Sequence, residues 1–294
     1  MKPIRAALFA PGTKERVMTK ALESDADAVI FDLEDSVPIA AKAEARELVA
    51  KTIEQAHASG AGPLVTVRVN ASATGLLKDD LLAVLRPGLR AIFLPKAEAP
   101  EEVSKAAAML EWLEPTHHMK PGAVEIILMI ESALGVYRCF DMLKASPRVA
   151  TACIGSAQDG DLQTDLGSAW SSDGPELMYA KSKVMLDTRA AGKLYPLDGV
   201  FSDLNDEASL VRDSQLSARL GYVGRTVIHP KQIAPVRRAY AVPAEQVAYY
   251  TRVVTEFEAA EKGGIAAITV DGKLVDYAMY SRAQSVLELA QLDR

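Results

Sequence analysis

Eight short apolar runs, each closing on polar residues and each followed by a helical pattern, constrain this chain more than any other feature. The runs cover residues 5–12, 26–35, 63–70, 91–96, 124–130, 149–159, 196–204 and 224–230. Their residues are mostly apolar in sequence rather than alternating, as in strands covered on both faces. Helical patterns lie between them: 14–24 behind Thr13 as N-cap, 41–56, 79–85, 100–114, 133–144, 176–191, 207–220 and 231–240. Strands that alternate with helices over short connections form a parallel α/β sheet. Eight such units in about 240 residues fit a closed (β/α)8 TIM barrel, with an open doubly wound sheet as the competing arrangement. The barrel is favoured because polar residues end nearly every strand, at the rim where barrel sites are built. No G-x-G-x-x-G follows the first strand, which argues against a dinucleotide fold.

After about residue 240 the pattern changes. A helix over 243–262, a Gly263-Gly264 break, a hairpin over 267–275 with an Asp-Gly turn and a helix over 281–292 follow. The expected organisation is a catalytic barrel, 1–240, and a C-terminal lid, 241–294, packed on its own barrel or on a neighbouring subunit. Composition narrows the partners. The net charge of −6 comes with no basic cluster to track a nucleic acid. No apolar run reaches membrane-spanning length, and the N-terminus lacks the form of a signal peptide. Cys139 and Cys153 lie in apolar runs and read as core residues. A cytoplasmic location is expected.

The fifth run, VEIILMI, stops abruptly at Glu131, and the sixth leads to Asp159 and Asp161. A carboxylate at the tip of a buried strand is costly unless an opposite charge meets it. Neighbouring strands that deliver carboxylates to one rim point to a divalent metal. Two acids with no nearby histidine or cysteine pair suit Mg2+ or Mn2+ better than zinc. The plain alternative has Glu131 capping a helix and the aspartates in a solvated loop. Arg68 ends the third run, where a guanidinium can fork onto a substrate carboxylate or an enolate oxygen, or form a structural ion pair with Glu34 or Asp35. Asp32, Glu34 and Asp35 are candidates to orient metal-bound water. Lys96 and Arg5 are candidate anion contacts. His229, before Pro230 and without a Ser or Cys elbow, reads as structural. Asp276 follows the late hairpin, where a lone acid is ordinarily a surface residue.

Taken together, RAALFAPG with Lys14, ADAVIFDLEDSV with Lys42 and Arg46, VTVRVN, FLPKAE, IESALGV, DLQTDLG, LDGVFSDL, GRTVIHPKQI and DGKLVDYAMYSRA carry a resemblance that runs nearly end to end. The chain resembles the citrate lyase β-subunit-like branch of the HpcH/HpaI aldolase/citrate lyase superfamily. The resemblance implies a (β/α)8 barrel, usually a homotrimer or hexamer, whose C-terminal segment reaches a neighbouring subunit. It implies Mg2+ held by Glu131 and Asp161, substrate bound by Arg68, and Asp276 as the base in members acting on coenzyme A thioesters. One departure stands out: the family's Gly-x-x-Asp after the sixth strand is here the longer Gly155–Asp161. Spacing to Gly167 favours Asp161 as ligand, whereas strand register favours Asp159.

The expected activity is that of a Mg2+-dependent carbon–carbon lyase of retro-Claisen or retro-aldol type. The expected substrate is a 3-hydroxyacyl thioester such as a malyl- or citramalyl-type coenzyme A ester. The alternatives are an aldolase that releases pyruvate from a free hydroxy-oxo acid, and a dependent subunit of a larger lyase acting on a carrier-protein thioester.

Overall fold

A computed structural model describes residues 2–171 and 174–291. The eight strands are β1 (Ala6–Pro11), β2 (Ala28–Asp32), β3 (Leu64–Arg68), β4 (Leu89–Leu94), β5 (Glu125–Ile130), β6 (Val149–Ile154), β7 (Leu197–Asp198) and β8 (Gly224–Val227). They pair in chain order, all parallel, and β8 closes on β1 through Ala6 opposite Arg225. The TIM barrel expected from the alternation is the observed fold. Five consecutive buried residues in β2, and five in β5 after Glu125, are what both-face coverage requires. Register brings the strand exits level: Pro11 pairs with Asp32, and Asp32 with Arg68.

Several boundaries differ from the sequence reading. The seventh strand, expected over 196–204, has two residues and meets β6 only at Cys153 opposite Leu197. The chain leaves the ladder because Gly199 is wedged against the β6 exit. A Cβ at Gly199 would lie 2.5 Å from the Ser156 nitrogen. Asp203, inside the expected run, instead lies on an exposed turn and accepts from the Asn205 amide. The first helix, Glu15–Leu22, has Lys14 rather than Thr13 at its N-cap position, without a side-chain bond. The helix expected over 133–144 is two, Ala133–Tyr137 and Cys139–Lys144, divided at Arg138. A six-residue helix, Asp161–Leu166, occupies what reads as loop.

Residues 240–294 form a separate compact unit. It consists of the helix Ala244–Lys262, a hairpin of β9 (Ile268–Val270) and β10 (Lys273–Val275), and the helix Tyr277–Gln291. Asp271 and Gly272 both have positive φ, 49° and 78°, as the tight Asp-Gly turn requires. The last helix starts four residues before the expected Ser281; its expected end, Leu292, lies outside the described residues. The unit has a small core of its own, made of Val253, Phe257, Val270, Val275 and Ala283. Phe257 stacks on Tyr280 at 4.9 Å. No helix among the described residues is long and apolar enough to cross a membrane.

Candidate active site

The strand exits surround a cavity of about 320 Å3. Arg68, Glu131 and Asp161 line it, with Asp32 and Asp35 beside them and Phe9, Met129 and Ile154 as apolar wall. Five of the side chains singled out in the sequence are therefore brought together.

Glu131 follows β5 directly and is 7% exposed. Its Oε2 is buried and accepts no hydrogen bond. Burial, reinforced by the negative field of Glu34 and Asp161 and eased by Arg68 and Lys96, pushes its pKa up to about 8. It does not cap the next helix: Ser132 does, accepting from the Gly135 amide at 3.0 Å. Its side chain crosses Gly155, where a Cβ would lie 2.6 Å from Glu131 Cγ.

Asp161 opens the short helix after β6, and its side chain is half exposed on the cavity rim. That helix is tied to the one after β5, since Asp165 accepts from the Ala133 amide at 2.7 Å. Asp159 is on an exposed turn at φ 56°, its amide donating to Gln163, and it does not line the cavity.

Arg68, at the end of β3, is the most heavily paired side chain of the cavity. Its Nε and Nη2 fork onto Asp32 at 2.7 and 2.8 Å, and Nη1 lies 2.9 Å from Glu34 Oε2. The Phe9 ring lies 5.0 Å below the guanidinium carbon. Burial opposes the charge on Asp32, but Arg68 overcomes it and holds the carboxyl below its usual range. The structural pair foreseen with Glu34 or Asp35 is thus dominated by Asp32, which orients the arginine rather than standing free to orient water. Lys96, at φ 53°, reaches Glu34, Asp35 and Asp161 at 3.1, 3.2 and 3.1 Å. Four carboxylates, Asp32, Glu34, Asp35 and Asp161, thus share two cations, Arg68 and Lys96.

Other candidates lie elsewhere. Arg5 precedes β1 at the opposite end of the barrel, where Nη1 donates to the Val223 carbonyl. His229 caps the turn Pro230–Gln232, its Nδ1 accepting from the Lys231 amide. Cys139 and Cys153 are fully buried. Asp276 belongs to the second unit, where its Oδ1 accepts from the Ala278 and Met279 amides at the start of the last helix. The sequence reading missed a buried cluster beside the cavity. Asp198 accepts from Lys181 at 2.9 Å, and Asp213 from Lys181 and Arg225 at 3.1 and 2.8 Å. Burial opposes the charge on Asp198, but Lys181 and Arg225 overcome it and hold the carboxyl well below its usual range. The one signal was an acid inside an apolar stretch, Leu197-Asp198-Gly199-Val200.

These donors fit a hard divalent cation. An unpartnered buried carboxylate oxygen, a second carboxylate lining the cavity and a surplus of negative charge all call for one. No group of three or more His, Cys, Asp or Glu placed to hold a metal occurs among the described residues. Two protein carboxylates match an ion that completes its shell with water and substrate oxygens.

Comparison with known proteins gives this geometry its relatives. The profile of the HpcH/HpaI aldolase/citrate lyase family matches residues 5–230, and that of a C–C bond lyase of the TIM-barrel fold matches residues 182–293. The chain is 34% identical over 286 residues to the citrate lyase subunit beta of Leuconostoc mesenteroides subsp. cremoris, covering 97% of this chain and 93% of that protein. It is 30% identical over 300 residues to the mitochondrial citramalyl-CoA lyase of Homo sapiens, covering 98% and 86%. Among solved structures, CitE of Mycobacterium tuberculosis in complex with magnesium, acetoacetate and coenzyme A superposes with a TM-score of 0.75. That pair shares 28% identity, over 98% of each chain. With sequence and fold agreeing over nearly its whole length, this chain is a carbon–carbon lyase and belongs to the HpcH/HpaI aldolase/citrate lyase family.

Proposed function

We propose that the protein is a Mg2+-dependent lyase that cleaves a 3-hydroxyacyl coenzyme A thioester of malyl or citramalyl type. The observation that carries this reading is Glu131, a buried carboxylate with an unpartnered oxygen, lining one cavity with Asp161 and a fixed arginine. The human citramalyl-CoA lyase supports the thioester, and the CitE complex supports the ion and coenzyme A.

Glu131 and Asp161 would hold Mg2+. When bound, the ion supplies Lewis-acid polarisation and a template for the carboxylate and adjacent oxygen of the substrate. The C2–C3 bond breaks, its electron pair moves onto the thioester as an enolate, and the 3-hydroxyl passes its proton to water and becomes the oxo group of the released acid. Arg68, already held by Asp32, meets the enolate oxygen with no reorganisation at the moment charge develops. Asp276, supplied by the C-terminal unit of a neighbouring subunit in a homotrimer or hexamer, returns a proton to the enolate carbon. The separate core of residues 240–294 supports treating that unit as a lid.

The test is turnover of citramalyl- and malyl-coenzyme A by the purified chain with Mg2+. Glu131→Gln is expected to abolish metal-dependent cleavage, and full activity in that variant sinks the reading. Cleavage of free hydroxy-oxo acids with no thioester turnover would make the protein an aldolase. The similarity to citrate lyase subunit beta favours a second reading, a dependent subunit. Turnover that appears only with a carrier-protein thioester would establish it.

A further inference from the structure

The barrel wall is thinnest at β7, which meets β6 at one pair and β8 at two. So short a ladder holds its neighbours weakly, and the buried ionic cluster takes over. Asp198 is its centre. One carboxylate oxygen, Oδ2, faces Lys181 at 2.9 Å and Arg225 at 3.9 Å. The other, Oδ1, accepts from Ser156 Oγ and from the Gly199 amide, both at 2.8 Å. The Gly199 amide also approaches Ser156 Oγ at 3.2 Å, and the Gly199 carbonyl accepts from Arg225 Nε at 2.9 Å. Ser156 is the only residue of the 155–161 loop among these partners. Its neighbours Gly155 and Ala157 line the cavity, as do Gly199 and, five residues after Ser156, Asp161.

We propose that Ser156 and Asp198 are positioning residues that fix the 155–161 loop, and through it Asp161, at the distance from Glu131 that a divalent ion needs. The proposal rests on the reading of Glu131 and Asp161 as the metal ligands. A buried, paired carboxylate is a stiff anchor, because moving it away from Lys181 and Arg225 would leave charges unpaired in the interior. The hydroxyl of Ser156 transmits that stiffness to a loop whose next fixed point is the helix beginning at Asp161.

Ser156→Ala removes the link and leaves Asp198 bound to Lys181 and Gly199. Calorimetric titration with Mg2+ alone is expected to show a dissociation constant raised about tenfold, the size of effect found when an outer partner of a metal ligand is lost. KM for the thioester should rise more than kcat falls. Ser156→Thr, which keeps the hydroxyl, is expected to restore wild-type affinity. Asp213→Asn disturbs the outer end of the cluster and is expected to lower Tm while leaving Mg2+ affinity unchanged. Wild-type Mg2+ affinity and KM in Ser156→Ala overturn the proposal. So does a Ser156→Ala chain that fails to fold, which would make the hydroxyl a support of the barrel rather than of the site. Glu131→Gln, titrated alongside, separates the two failures: if it binds Mg2+ as the wild type does, the metal site itself is misassigned.

Discussion

Glu131 stays protonated in the fold up to a pKa of about 8, because burial penalises its charge, whereas in the unfolded chain it ionises near 4.5. Between those values the folded state binds more protons, so without metal Glu131 makes stability fall as pH rises through the window. With Glu131 as the proposed ligand, Mg2+ would reverse this by taking the place of the proton. Thermal melts in chelator are therefore expected to show wild-type Tm declining relative to Glu131→Gln between about pH 5 and 8. Added Mg2+ at pH 8 should raise Tm in the wild type alone; parallel profiles would refute the account. Arg68 makes the companion case. Lysine keeps the charge but cannot fork onto Asp32 while also reaching Glu34, so it is held less firmly in the cavity wall. Arg68→Lys is expected to lower kcat/KM by roughly 10²-fold, the scale of losing one aligned donor to a developing oxyanion. Equal kcat/KM in both enzymes would remove Arg68 from the mechanism.

Elements were legible in proportion to how local their causes are. β2 and β5 announce themselves as unbroken apolar runs, and the Asp271-Gly272 turn is set by two adjacent residues. β7 was misread because what ends it, the wedging of Gly199 against Ser156, is a contact between residues 43 apart. Glu131 and Asp161 were visible as acids at strand exits. The choice of Asp161 over Asp159 as the cavity-lining acid depends on a helix start that the sequence pattern did not reveal. The Asp32–Arg68 fork was hidden for a similar reason: it follows from strand register, which pairs the two residues directly. The β6 exit offers its own test. A methyl group at position 155 meets Glu131 Cγ at 2.6 Å, so Gly155→Ala must displace the glutamate or the loop. The variant is expected to fold, since the strands are untouched, and to lose Mg2+ binding by calorimetry. Retained affinity would show that Glu131 has room to move.

At the scale of the whole molecule, the proposal that Asp276 works on a neighbour's barrel makes a quantitative claim. Glu131→Gln breaks the barrel half of a site, and Asp276→Ala breaks the lid half. Each homo-oligomer is expected to be inactive for a different reason. If every site joins the barrel of one subunit to the lid of the next around a closed ring, random co-assembly of the two variants yields intact sites. A site then needs an unmodified barrel, present in half the subunits, and an unmodified lid from its neighbour, also present in half. Co-expression at equal levels should therefore recover about a quarter of wild-type activity. If each chain closes over its own cavity, both kinds of chain carry a broken site and no mixture recovers anything. The capping bonds of Asp276 to Ala278 and Met279 give a control for misfolding. Asp276→Asn keeps a side-chain acceptor for the helix start but loses the titrating carboxylate, so it is expected to hold Tm near wild type and still fail alone. Activity near a quarter in the mixed assembly assigns the carboxylate to the adjacent subunit. Zero activity in a mixture shown to be co-assembled returns it to its own chain.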